Sequence, residues 1–150
     1  MPVDPLLVAA GLYAGLFLVA FSAATILPLQ SEAAVVGMVL ADHHALAVVL
    51  VAGAGNTLGA ATNWLLGRGI ERFRDRKWFP VGPKALRRAE HWYRRHGRWT
   101  LLFSWLPLGG DALTMVAGVL REPLPVFLLF VAVGKLARYA VVVAVALGLA

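Results

Sequence analysis

Leu27-Pro28-Leu29-Gln30-Ser31-Glu32-Ala33 and, 79 residues later, Leu106-Pro107-Leu108-Gly109-Gly110-Asp111-Ala112 align without a gap, and each interrupts an apolar run. Carried forward, the same offset takes Gly55 to Gly134, Asn56 to Lys135 and Gly59 to Arg138, so the spacing from break to following helix is kept in both halves. The piece after the first break, Ala33–Ala41, would rise only about 14 Å as helix. That is half of a hydrocarbon core, and Asp42-His43-His44 then marks an interface. A broken helix pair that dips into the membrane and returns to the same side fits these lengths. Each unit is thus a re-entrant hairpin followed by one span. One crossing separates the two entry sides, so the units are inverted in the membrane, the arrangement in which broken helices meet near the midplane around a substrate site.

Composition agrees with a lipid solvent. Of 150 residues, 60% are apolar and 15% charged, with mean hydropathy +0.75, against about 25% charged in soluble domains. This excludes a disordered chain, a disulfide scaffold and most soluble enzymes. Without cysteine there is no disulfide, iron–sulfur cluster, thiolate nucleophile or zinc–thiolate site. Leu6–Leu29 has no charge and is long enough to cross. A cleaved leader is disfavoured, because Met1–Asp4 carries no Lys or Arg and the apolar run exceeds the usual length. Ala45–Ile70 reads as a second span, with Asn56, Gly59, Asn63 and Gly67 on one face. Gly55-x-x-x-Gly59 admits a closely packed helix, either a homodimer partner or a helix of the same chain. Gly53–Gly59 also mimics a dinucleotide fingerprint, but the βαβ context that would confirm it is missing.

The net charge of +6 is unevenly placed: 11 of the 14 Lys and Arg fall between Arg68 and Arg98, a local net of +8. Between apolar blocks this is the signature of a cytoplasmic loop, and anionic inner-leaflet lipid accounts for it better than nucleic acid. Pro83 and Gly97 bracket a helix with Leu86, Ala89 and Tyr93 on one side and Arg87, Arg94, Arg95 and Arg98 mostly on the other. It is expected to lie flat on the membrane, with Trp78, Trp92, Tyr93 and Trp99 at headgroup level. His91 and His96, five apart, fall on different faces, which argues against a metal pair.

Trp99–Leu120 is cut into two short arms by Pro107, Gly109, Gly110 and Asp111. The final block, Leu124–Ala150, carries Lys135 and Arg138 near its middle. Glu32, Asp111, Lys135 and Arg138 are therefore charges at depth, where each costs roughly 2.5–3.5 kcal/mol on the mildest scale. Two readings follow. Either these residues form internal ion pairs holding the hairpins to the last helix, or the carboxylates carry protons while Lys135 and Arg138 attract an anionic headgroup, with Asn56 and Asn63 lining the path.

The chain resembles the DedA family, also called the SNARE-associated or VTT superfamily, and in particular its short YqaA-type branch. The resemblance spans roughly Phe21–Tyr139. It rests on Pro28 with Ser31-Glu32, Gly55-Asn56-Thr57-Leu58-Gly59 with Asn63 and Gly67-Arg68, Trp105-Leu106-Pro107, and Gly134-Lys135 with Arg138-Tyr139. It implies an inner-membrane protein that moves lipids across the bilayer, with undecaprenyl phosphate and phosphatidylethanolamine as family substrates and proton coupling. Where typical members look to carry arginines around the second-hairpin proline, this chain has Ser104 and Gly110.

The expectation is one all-α membrane domain over residues 1–150. Residues 1–21 form an N-terminal transmembrane helix, 22–70 a first repeat, 71–98 a basic cytoplasmic loop with an amphipathic helix, and 99–150 a second, inverted repeat. The expected activity is a flippase for phospholipid or polyisoprenyl phosphate in the bacterial inner membrane, without metal or cofactor. The alternatives are a membrane enzyme acting on lipid phosphates, with Glu32 or Asp111 as general base, and an assembly factor without transport.

Overall fold

The computed structural model describes residues 2–24, 31–69, 83–104 and 110–148, and every element among them is helical. Helix α1 is Pro5–Ala23, α2 Ser31–Leu40, α3 Ala45–Arg68, α4 Pro83–His96, α5 Gly110–Val119 and α6 Leu124–Ala146; a 3-10 helix, Gly97–Phe103, follows α4. The break prolines Pro28 and Pro107 lie outside the described residues, as does most of the basic segment before Pro83.

Helices α1, α3 and α6 have 19, 24 and 23 residues and are apolar enough to cross a bilayer. Leu6, Leu7 and Leu18 of α1, Leu46, Leu50, Leu58 and Leu65 of α3, and Leu129, Val133, Val141 and Val145 of α6 all point outward. Apolar outer faces on long helices are stable only against lipid. The ten-residue helices α2 and α5 rise about 15 Å each and cannot span alone. Proline and caps set the helix starts. Asp4 accepts the Leu6 N–H at 2.9 Å with Pro5 next to it, and His44 Nδ1 accepts the Ala47 N–H at 3.4 Å.

The 79-residue offset is visible in the backbone. Helices α2 and α5 start at Ser31 and Gly110, and α3 and α6 at Ala45 and Leu124. The turns between them repeat atom for atom. Ala41, Asp42 and His43 donate to the carbonyls of Gly37, Val39 and Met38, and Leu120, Arg121 and Glu122 donate to those of Val116, Gly118 and Ala117. Among the described residues, only Asp42 (φ 64°) and Arg121 (φ 59°) are non-glycine residues in the left-handed region, one in each turn. This is a helix C-terminal cap, in which a residue at positive φ lets the following N–H groups reach carbonyls left open by the last turn.

Packing exchanges the short helices between the halves. Helix α2 lies chiefly on α6, and α5 lies on α3. One core joins Ala60 and Trp64 of α3 with Leu86, Ala89 and Tyr93 of α4, the Met115 region of α5, and Phe127 and Val131 of α6. The other joins Leu16 and Ala20 of α1, Val35 and Val39 of α2, Val48 and Ala52 of α3, and Tyr139 and Val143 of α6. The α3–α1 crossing is a backbone contact, since a methyl group at Gly55 or Gly59 would strike the carbonyls of Phe17 or Phe21. These glycines thus serve internal packing, and the face expected to accept either a second copy or a helix of the same chain is occupied by α1. The apolar side of α4 is likewise turned into the protein and not into lipid.

Candidate functional site

The site grows from the first turn of α2. Ser31 and Glu32 open that helix and lie beside Tyr139 and Arg138 of α6, in crossed order. Arg138 forms an ion pair with Glu32, and the Ser31 and Tyr139 hydroxyls share a hydrogen bond of 2.6 Å in a buried position. The charged side chains are 30% exposed at Glu32 and 25% at Arg138, so this pair is partly buried and not in the dry core. Glu32 gains from its place at a helix N-terminus, where backbone N–H groups favour an anion.

Lys135 lies one turn before Arg138 on α6 and is 3% exposed. Among its partners is the Ser104 carbonyl at the end of the 3-10 helix, to which Nζ donates at 3.2 Å. The two cations therefore separate: Arg138 serves the α2 end and Lys135 the segment entering the second break. Asp111 is the second residue of α5, as Glu32 is the second of α2, but its side chain lies outside the described residues. Asn56, at the repeat position of Lys135, donates to the Ala20 carbonyl at 2.8 Å. Asn63 donates to the Ala24 carbonyl at 2.8 Å and to Thr114 Oγ1 at 3.2 Å. Both asparagines tie down the end of α1, where carbonyls lack helical partners. Their Oδ1 atoms, with Thr57 Oγ1 and Ser104 Oγ, are buried without a hydrogen-bond partner among the described residues.

A second polar cluster was not singled out from sequence. Glu122, in the turn before α6, accepts from the Tyr93 hydroxyl at 2.6 Å and lies 3.2 Å from Arg98 Nε, while its carbonyl accepts from Trp64 Nε1 at 2.9 Å. Burial first, and then the bond to Glu122, push the Tyr93 phenol well above its ordinary 10.0. The tyrosine is thus a neutral donor clamping α4 to the α5–α6 turn. Among the described residues no three His, Cys, Asp or Glu are grouped to hold a metal ion.

Comparison with known proteins places this arrangement. The VTT domain matches over residues 27–147, from the first break through α6. The chain belongs to the VTT-domain family, the DedA or SNARE-associated proteins. This VTT-domain protein is 38% identical over 130 residues to the inner membrane protein YqaA of Escherichia coli K12, covering 86% of this chain and 87% of that one. Shigella flexneri YqaA gives the same values. An uncharacterized Haemophilus influenzae protein is 36% identical over 132 residues, 83% of this chain and 80% of its own. No solved structure matches. The matched region of this VTT-domain protein contains Glu32, Asp111, Lys135 and Arg138, and it begins after α1.

Proposed function

We propose that this protein moves lipid phosphates, either phospholipid or polyisoprenyl phosphate, across the bacterial inner membrane, with proton movement through its carboxylates. The observation that carries this reading is the partly exposed Glu32–Arg138 pair, which joins a helix too short to span to one long enough to span. A guanidinium held by one carboxylate is also a bidentate ligand for phosphate. An arriving headgroup competes with Glu32 for Arg138. The released carboxylate, costly as an unpaired charge in low dielectric, takes up a proton; re-pairing after the lipid leaves returns it. Asp111 is assigned the matching role at the head of α5, and Lys135, which donates to the Ser104 carbonyl, that of a second cation on the path.

The matching turns and the exchanged packing of α2 and α5 support two inverted hairpin-plus-span repeats, with α2 and α5 as re-entrant arms approaching from opposite sides. The concentration of Lys and Arg between Arg68 and Arg98 supports a cytoplasmic position for that loop. Purified protein in liposomes tests the function. Labelled lipid phosphate should cross the bilayer with its headgroup chemically unchanged, and Glu32→Gln should abolish crossing while leaving the folded protein in the membrane. Altered headgroups would point to a membrane enzyme, and intact protein without lipid movement to an assembly factor.

A further inference from the structure

With the apolar side of α4 spent on the protein core, its other side needs its own account. Arg88, Trp92 and Arg95, at spacings of four and three residues, share one exposed face, and Trp92, 52% exposed, stacks on His96 with ring centres 5.1 Å apart. Arg94 and Arg98 spend their charge on Glu90 and Glu122, whereas Arg88 and Arg95 meet no carboxylate among the described residues. Past the bend at Gly97, Trp99 is 65% exposed and sets its ring edge against Phe130 of α6, with centres 5.3 Å apart.

Phe130 ties this aromatic end to a helix long enough to span. It is the seventh residue of α6, about 9 Å along the axis from Leu124, and its neighbours Leu129 and Val133 are on the lipid-exposed face. Trp99 therefore joins the outward apolar side of α6 to the segment that follows α4.

We propose that the Arg88–Trp92–Arg95 face of α4, with Trp99, is a docking surface for anionic phospholipid of the adjacent leaflet, the rings seated at the acyl boundary and the two guanidiniums on headgroup phosphates. The surface is separate from the Glu32–Arg138 site and holds whether or not the protein transports lipid. It also differs from the expected amphipathic contact, because Leu86, Ala89 and Tyr93 take no part in it.

Tryptophan quenching in reconstituted vesicles of phosphatidylcholine and phosphatidylglycerol tests it. With the native chain, bromine carried on phosphatidylglycerol should quench more than the same amount carried on phosphatidylcholine. Each basic residue beside an anionic surface changes local partition roughly fivefold, so Arg88→Gln with Arg95→Gln should remove most of the excess. Trp92→Phe with Trp99→Phe should delete the quenched component itself. All four side chains are exposed, so the variants fold as the native chain does. Equal quenching by the two lipids, an excess unchanged in the arginine variant, or Trp92 and Trp99 quenched by aqueous acrylamide in place of lipid bromine would each overturn the proposal. Tight binding of RNA with those rings still open to acrylamide would assign the face to nucleic acid and overturn it as well.

Discussion

Neutralising both sides of the Glu32–Arg138 pair should cost about 2 kcal/mol less than the two single changes added together. Arg138→Gln leaves a partly buried carboxylate at the head of α2 without its arginine. Removing one partner of a buried ion pair costs about 3–5 kcal/mol. With both side chains partly exposed, at 30% and 25%, the low end applies, about 3 kcal/mol, or roughly a hundredfold in the folding equilibrium. Glu32→Gln leaves the guanidinium, which keeps its contact over the Tyr139 ring at 5.8 Å and so loses less. The double variant, two amides able to hydrogen-bond each other, should regain about 2 kcal/mol over the sum of the single changes. The assay is reversible unfolding in mixed micelles, followed by helix content, for the native chain and the three variants. Lipid crossing is measured on the same preparations. The double variant should be more stable than additivity gives, and its transport should stay lost. Additive single effects, each below about 1 kcal/mol, would show that the two groups do not sense each other and would refute the reasoning.

Other outcomes are equally open to measurement. Tyr139→Phe and Ser31→Ala should each cost about 1 kcal/mol, and together no more than about 1.5, because removing both partners leaves no orphaned hydroxyl. Gly59→Val should push α1 off α3, costing about 1–3 kcal/mol and abolishing oxidative crosslinking between cysteines placed at Ala20 and Asn56. The raised Tyr93 ionisation means the folded state retains a proton that the unfolded chain releases near pH 10.0, so native stability should decline above that pH; Tyr93→Phe should show a shallower alkaline decline on the same thermal scan. A single cysteine at Lys84 should react with an impermeant thiol reagent only after the inner face is opened.

Long apolar runs made the three spans legible, and Pro83 and Gly97 bracketed α4 to the residue, because these signals act locally. The alignment around Pro28 and Pro107 put the two breaks in register, but the first arm, read as Ala33–Ala41, begins two residues earlier, at Ser31, where the polar Ser31 and Glu32 form the first helical turn. Four charges within apolar stretches drew notice, but their partners did not: Arg138 meets Glu32 only through the packing of α2 on α6, which no local pattern encodes. Asn56 and Asn63 drew notice as polar residues in a span. Their donor role at the end of α1 depends on where that helix stops, between Ala23 and the break. Glu122 gave no signal beyond its place before Pro123, although 29 residues separate it from the tyrosine it holds. Its repeat counterpart His43 lies edge-on to Tyr13, ring centres 5.8 Å apart, a correspondence visible only once both turns are compared.

The exchange of short helices also orders events during synthesis. Ser31 and Tyr139 are 108 residues apart, so at about 5–20 residues per second the ribosome completes the α6 surface roughly 5–20 s after α2 has emerged. Through that interval Glu32 has no arginine and α2 no α6 to lie on. The contacts that hold α2 against α6 can therefore form only once the last helix has been made. The first short helix to be translated completes its packing among the last.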